Sequence, residues 1–161
     1  MHAEIIARKT EGAQLAGVAD ALPASAERVA AELQVPAMDL QALIESPDND
    51  AIAICTSTDT HVDVVERCAA AGKAIFCEKP ISLDLAAVDA ALVAVEAAGV
   101  PFMVGFNRRF DPAHQSVHDA VTSGVIGDVH LARISSRDPA PPPIEYIKVS
   151  GGIFVDMMIH D

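Results

Sequence analysis

The sequence predicts an α/β protein: a doubly wound parallel sheet, with helices on both faces, followed by the start of a second α/β layer. Three observations carry this expectation. Short runs at 14–19, 51–55 (AIAIC), 74–77 (AIFC) and 101–106 (PFMVGF) are almost uniformly apolar, as in strands buried on both faces. Segments with helical periodicity separate them, and strand–helix alternation builds parallel sheets. The polar residues with chemical potential follow the runs directly, at the carboxyl edge where open α/β sheets bind ligands.

The elements follow in order. Residues 2–9 read as a helix, and the run 14–19 is a strand ending in Asp20. Residues 23–33 begin with proline and carry Ala26, Val29, Ala30 and Leu33 at helical spacing. After the strand at 51–55 comes a hydroxyl-rich loop, Thr56-Ser57-Thr58-Asp59-Thr60, and then a helix from His61 with Gly72 as its C-cap. The next strand, 74–77, ends in Glu78-Lys79-Pro80. A further helix presents Leu85, Val88, Leu92 and Val95 as its apolar stripe, with Asp84 or Ser82 to cap it and Gly99 and Pro101 to end it. Beyond Asn107 the pattern changes to a helix over 111–123, a strand over 129–135, a proline loop at 139–143 and a helical stretch after Gly151-Gly152. Two domains are therefore expected, 1–107 and 108–161.

Composition limits the function. Hydrophobic residues make up 51% of the 161, enough for a sizeable core. The net charge of −12 would repel a nucleic-acid backbone, and aromatics at 4% with no tryptophan leave little to stack on bases. No uninterrupted apolar run is long enough to span a bilayer. Cys55, Cys68 and Cys77 are too widely spaced for CxxC chemistry and read as reduced, buried thiols of a cytoplasmic protein.

Several residues are candidates for chemistry. Lys79 ends a strand, and Pro80 keeps it out of the helical region, so its ammonium can stabilise a substrate oxygen; a solvated lysine paired with Glu78 is the plainer alternative. Asp156 and His160 are four apart, hence on one face of a helix, which suits proton transfer. A buried structural pair is equally compatible with that spacing. No metal is expected, because Asp-x-x-x-His provides only two ligands. Asn107 and the arginines after it could face a polar substrate, or form a solvated turn. Asp20 stands where a ribose-binding acid would end a strand, or else acts as a cap, while no G-x-G-x-x-G turn occurs in the sequence. The expectation is that the first strand and phosphate loop of such a domain lie before Met1. His2, His114, His118 and His130 have no partner at catalytic spacing.

Together, Asp20, ICTSTDTH, FCEKPISLD, MVGFNRRFDP and GGIFVDMMIHD resemble the glucose-fructose oxidoreductase and inositol dehydrogenase (Gfo/Idh/MocA) family. The resemblance covers essentially the whole chain and is greatest to the family's myo-inositol 2-dehydrogenase branch. It implies a Rossmann domain binding NAD, a second domain on a large open sheet, and a parent homo-oligomer, a dimer or tetramer, roughly twice this length. It implies Lys79, Asp156 and His160 as catalytic residues that also bind substrate, with Asn107 beside them. For the cofactor it implies Asp20, Thr56, Ser57, Thr58, His61, Glu78 and Lys79. The activity implied is oxidation of a secondary alcohol of a cyclic polyol or sugar; the alternatives are a non-catalytic binding relative or an inactive gene fragment.

Overall fold

The computed structural model describes residues 1–137 and 139–160. It divides into two compact units, Met1–Val104 and Gly105–Asp161.

In the first unit, β1 (Ala51–Ile54), β2 (Ala74–Cys77) and β3 (Phe102–Val104) form a parallel sheet in sequence order, with Ala51 opposite Ala74 and Ile75 opposite Phe102. Helix α4 (His61–Ala70) connects β1 to β2, and α5 (Leu85–Ala98) connects β2 to β3. Both helices cover one face, where Ile52, Ile54, Ile75 and Cys77 pack with Val64, Val65, Cys68, Ala69, Ala91 and Val95. The other face is covered only in part among the described residues. Burial alternates along β1, and Ala51, Ala53 and Met103 of the other face are exposed among the described residues. On that face His2, the first residue of α1 (His2–Lys9), meets Phe76 in a tilted ring contact, with centroids 5.9 Å apart.

Local signals set the helix ends. The Asp84 side chain accepts the Ala86 N–H at 2.9 Å, the Ser82 hydroxyl accepts the Asp84 N–H at 3.1 Å, and Gly99 closes α5 at φ +66°. The buried line of α5 nevertheless differs from the expected stripe. Ala91 and Val95 are buried, while Leu85 is 80% exposed, because α5 is apolar on most sides and α4 docks where the alanine side chain permits close approach. Helix α2 (Pro23–Leu33) matches the expected range.

The expected strand at 14–19 reduces to a single bridge between Val18 and Ala37. Val18 N–H donates to Pro36 O and Met38 N–H to Val18 O. Proline at 36 has no N–H to extend that ladder. Gly17 allows the crossing, since a Cβ there would lie 2.8 Å from the Met38 sulfur. Helix α3 (Leu40–Glu45), capped by Asp39, has no counterpart in the sequence reading. Lys73, 9% exposed, ties the end of α3 to the start of β2: its Nζ donates to Ser46 O and Asn49 O, both at 2.7 Å.

In the second unit, α6 (Pro112–Thr122) begins at Asp111, whose carboxylate accepts the N–H groups of Ala113 and His114. The expected strand at 129–135 is absent; Val129, Leu131 and Ile134 are exposed. A strand requires a partner edge, and none of the described residues of this unit forms one. Two short helices follow, α7 (Ile144–Ile147) and α8 (Ile153–Asp156), and then a 3-10 turn, Met158–His160. The single helix expected after Gly152 is therefore broken at Met157. No helix among the described residues is long and apolar enough to cross a membrane.

Candidate functional site

The carboxyl ends of β1 and β2 lie side by side, and each delivers a polar loop. After β1, Thr56 and Ser57 are exposed, and a 3-10 turn, Thr58–Thr60, leads into α4. The Thr60 hydroxyl donates within the loop, 2.7 Å from the Thr56 hydroxyl and 2.8 Å from Ser57 O. After β2 the ladder continues one residue further, Glu78 N–H donating to Ile54 O at 2.9 Å. One Glu78 carboxylate oxygen accepts the Lys79 N–H at 3.1 Å, and the other lies 2.8 Å from Nε2 of His2. Lys79 is half-buried, and the peptide joining it to Pro80 is cis.

His61 links the two loops. It is 1% exposed, with Nδ1 2.8 Å from Pro80 O and Nε2 3.0 Å from Thr56 O. Its two nitrogens thus face backbone, and its reach toward any ligand is through these loops. Asp20 is exposed, and one carboxylate oxygen accepts the Leu22 N–H at 2.8 Å, so it turns the chain into α2. The donor set at these strand ends fits the ribose and nicotinamide half of a dinucleotide: exposed hydroxyls of Thr56 and Ser57 beside a lysine on a parallel-sheet edge. A glycine-rich turn for the pyrophosphate is not part of the sequence.

In the second unit, Asn107 opens a 3-10 turn, Asn107–Phe110. With Arg108, Phe110, Asp111 and His114 it lines an open cleft of about 390 Å³. Arg108 donates to the Ser136 hydroxyl at 2.7 Å. Asp156 is 8% exposed and accepts a 2.7 Å hydrogen bond from the Tyr146 hydroxyl. That bond, with burial and the carboxylate's charge behind it, pushes the tyrosine up to about 12. His160 sits in the 3-10 turn, its N–H donating to Met157 O, so the pair Asp156 and His160 does not share one regular α-helix.

Several residues were not legible in advance. Tyr146 lies ten positions before Asp156, across a loop, and no periodicity joins them. His2, His114 and His118 do have carboxylate partners, Glu78 at 2.8 Å, Asp111 at 2.9 Å and Asp119 at 3.2 Å. The hydrogen bond from His114 lowers the Asp111 carboxyl below its ordinary range. Of the cysteines, Cys68 and Cys77 are buried and Cys55 is exposed, correcting the expectation of three buried thiols. No group of three His, Cys, Asp or Glu among the described residues could hold a metal.

A parallel sheet with helical crossovers and a polar carboxyl edge defines the class, an α/β domain of the dinucleotide-binding kind. The model of the Gfo/Idh/MocA oxidoreductase family, with an NAD-binding Rossmann fold, matches residues 1–106, and the chain belongs to that family. It is 50% identical over 161 residues to an inositol 2-dehydrogenase from Rhizobium meliloti (strain 1021), covering 100% of this chain and 48% of the relative. The crystal structure of a Sinorhizobium meliloti 1021 protein described as a myo-inositol dehydrogenase superposes with a TM-score of 0.94 at 51% identity, covering 99% of this chain and 48% of that one. A scyllo-inositol dehydrogenase from Lactobacillus casei, solved with NAD(H) and scyllo-inositol, superposes with a TM-score of 0.89 at 34% identity, covering 99% and 49%. The chain spans about half the length of the relatives it matches.

Proposed function

We propose that the whole protein is an NAD-dependent dehydrogenase that oxidises a secondary alcohol of a cyclic polyol, myo-inositol to its 2-keto product being the leading case. The observation that carries this reading is identity of 50% to an inositol 2-dehydrogenase across all 161 residues, in a chain that retains Lys79, Asp156 and His160. Residues 1–107 serve as the cofactor domain and 108–161 as the opening of the substrate and assembly domain of a cytoplasmic homo-oligomer in polyol catabolism.

Asp20, Thr56, Ser57, Thr58 and Glu78 hold the cofactor, His61 acting through the loops it joins, and the acid at 20 favours a free ribose 2′-hydroxyl over a 2′-phosphate. NAD, when bound, supplies the hydride acceptor. The Lys79 ammonium donates a hydrogen bond to the reacting oxygen and stabilises its charge as the C–O bond becomes a carbonyl. His160 takes the hydroxyl proton on an imidazole nitrogen, leaving as imidazolium. Asp156, steadied by the Tyr146 hydroxyl, and Asn107 position the substrate's other hydroxyls.

The test is NADH formation with a panel of inositols and sugars, using this sequence carried in a chain of the relatives' full length. Lys79→Ala and His160→Ala should each lower kcat by about 10²-fold or more with NAD binding little changed. Wild-type turnover in either variant refutes the mechanism.

A further inference from the structure

We infer that His61 is a positioning residue for Lys79: its buried imidazole fixes the chain immediately after the lysine and couples that segment to the loop after β1. The inference rests on Lys79 acting on the reacting oxygen, as proposed above.

The β1–β2 ladder carries the backbone as far as Glu78, whose N–H donates to Ile54 O. The Glu78 carboxylate then accepts the Lys79 N–H at 3.1 Å, anchoring the lysine on its amino side. On its carboxyl side the next residue is Pro80, which has no N–H and offers its carbonyl as the one backbone hydrogen-bonding group. That carbonyl meets His61 Nδ1 at 2.8 Å, nineteen residues away in sequence. Lys79 is thus bracketed, by the sheet on one side and an imidazole on the other.

The bracket is stiff because of where the imidazole is mounted. His61 is the first residue of α4, whose next turns bury Val64, Val65 and Cys68 at 4%, 0% and 0% exposure. The second nitrogen lies 3.0 Å from Thr56 O, so the hydroxyl loop borders the same ring. Carbonyl oxygens only accept, so the ring serves as donor; either neutral tautomer supplies one of the two N–H groups and the imidazolium both. A lysine needed only for solvation would require no such support. An ammonium that must meet a developing charge does, since a displacement of about 1 Å can cost on the order of 10²-fold in rate.

The two contacts can be separated by substitution. The amide nitrogen of asparagine takes the place of Nδ1, and that of glutamine the place of Nε2. His61→Gln therefore retains the Thr56 contact and loses Pro80, while His61→Asn does the reverse. In the full-length dehydrogenase carrying this sequence, His61→Ala and His61→Gln should lower kcat by about tenfold or more, with KM for NAD within about threefold of wild type in His61→Gln, which keeps the Thr56 contact. His61→Asn should rescue turnover, recovering most of the kcat lost in His61→Ala. Equal kcat in the Gln and Asn variants, with equal losses of thermal stability, would mean a role in stability alone and overturn the inference. Should His61→Gln fail to fold, a folded His61→Asn with kcat no better than about a tenth of wild type overturns it equally. Lys79→Ala, measured alongside, separates the premises: full turnover there removes the reading of Lys79, whereas loss there with normal His61→Gln removes only the role of His61.

Discussion

Tyr146 is the only tyrosine among the 161 residues, and there is no tryptophan, so its environment can be read optically without assignment. The perturbation is Asp156→Asn, which exchanges the carboxylate for an amide of nearly the same shape. The phenol hydrogen bond to Asp156 raises the tyrosine from 10.0 to about 12, burial and the negative charge adding to it. A raised pKa in the folded state contributes stability that is complete below pH 10 and is lost as pH rises toward 12. Two units correspond to about 2.7 kcal/mol at most. Tyr146 is 46% exposed, and water screening at such a site reduces this to about 1 kcal/mol. The assay is alkaline difference absorbance of tyrosinate in chain verified as folded by circular dichroism, with phenol fluorescence near neutral pH as a second readout. The wild type should ionise well above pH 10 and Asp156→Asn closer to it, while loss of the carboxylate acceptor should brighten the fluorescence. Ionisation near pH 10 in folded wild type, unaltered by Asp156→Asn, refutes the contact.

Lys73→Met should destabilise the protein by about 2–4 kcal/mol in denaturant titration, because it leaves the carbonyls of Ser46 and Asn49 without their buried donor; a change below about 0.5 kcal/mol would show that water replaces the ammonium. Burial pushes all three thiols up, Cys55 and Cys68 to about 11 and Cys77 to about 12, so at pH 8 exposure rather than acidity separates them. A maleimide should accordingly label exposed Cys55 first and the other two only after denaturation, and equal labelling of Cys77 in the native protein would contradict its burial.

What the sequence by itself determined is what neighbouring residues decide. The ends of α5 were readable from Asp84 and Gly99, and strands β1 and β2 from short apolar runs bounded by turns, because caps and turns act within three or four residues. The family motifs around Lys79, Asp156 and His160 were legible for the same reason: each is a contiguous string. Tertiary structure decided whatever depends on a distant partner. The run at 14–19 had a strand's composition but meets Pro36, and 129–135 has no described edge to pair with, since a strand forms only in a ladder. The side of α5 that is buried depended on where α4 lies, as an apolar helix has no single obvious face. His61 between Thr56 O and Pro80 O, and Tyr146 on Asp156, are contacts across chain segments whose juxtaposition no local pattern encodes. They arise once the sheet and its loops have formed, and they turn recognisable motifs into held positions.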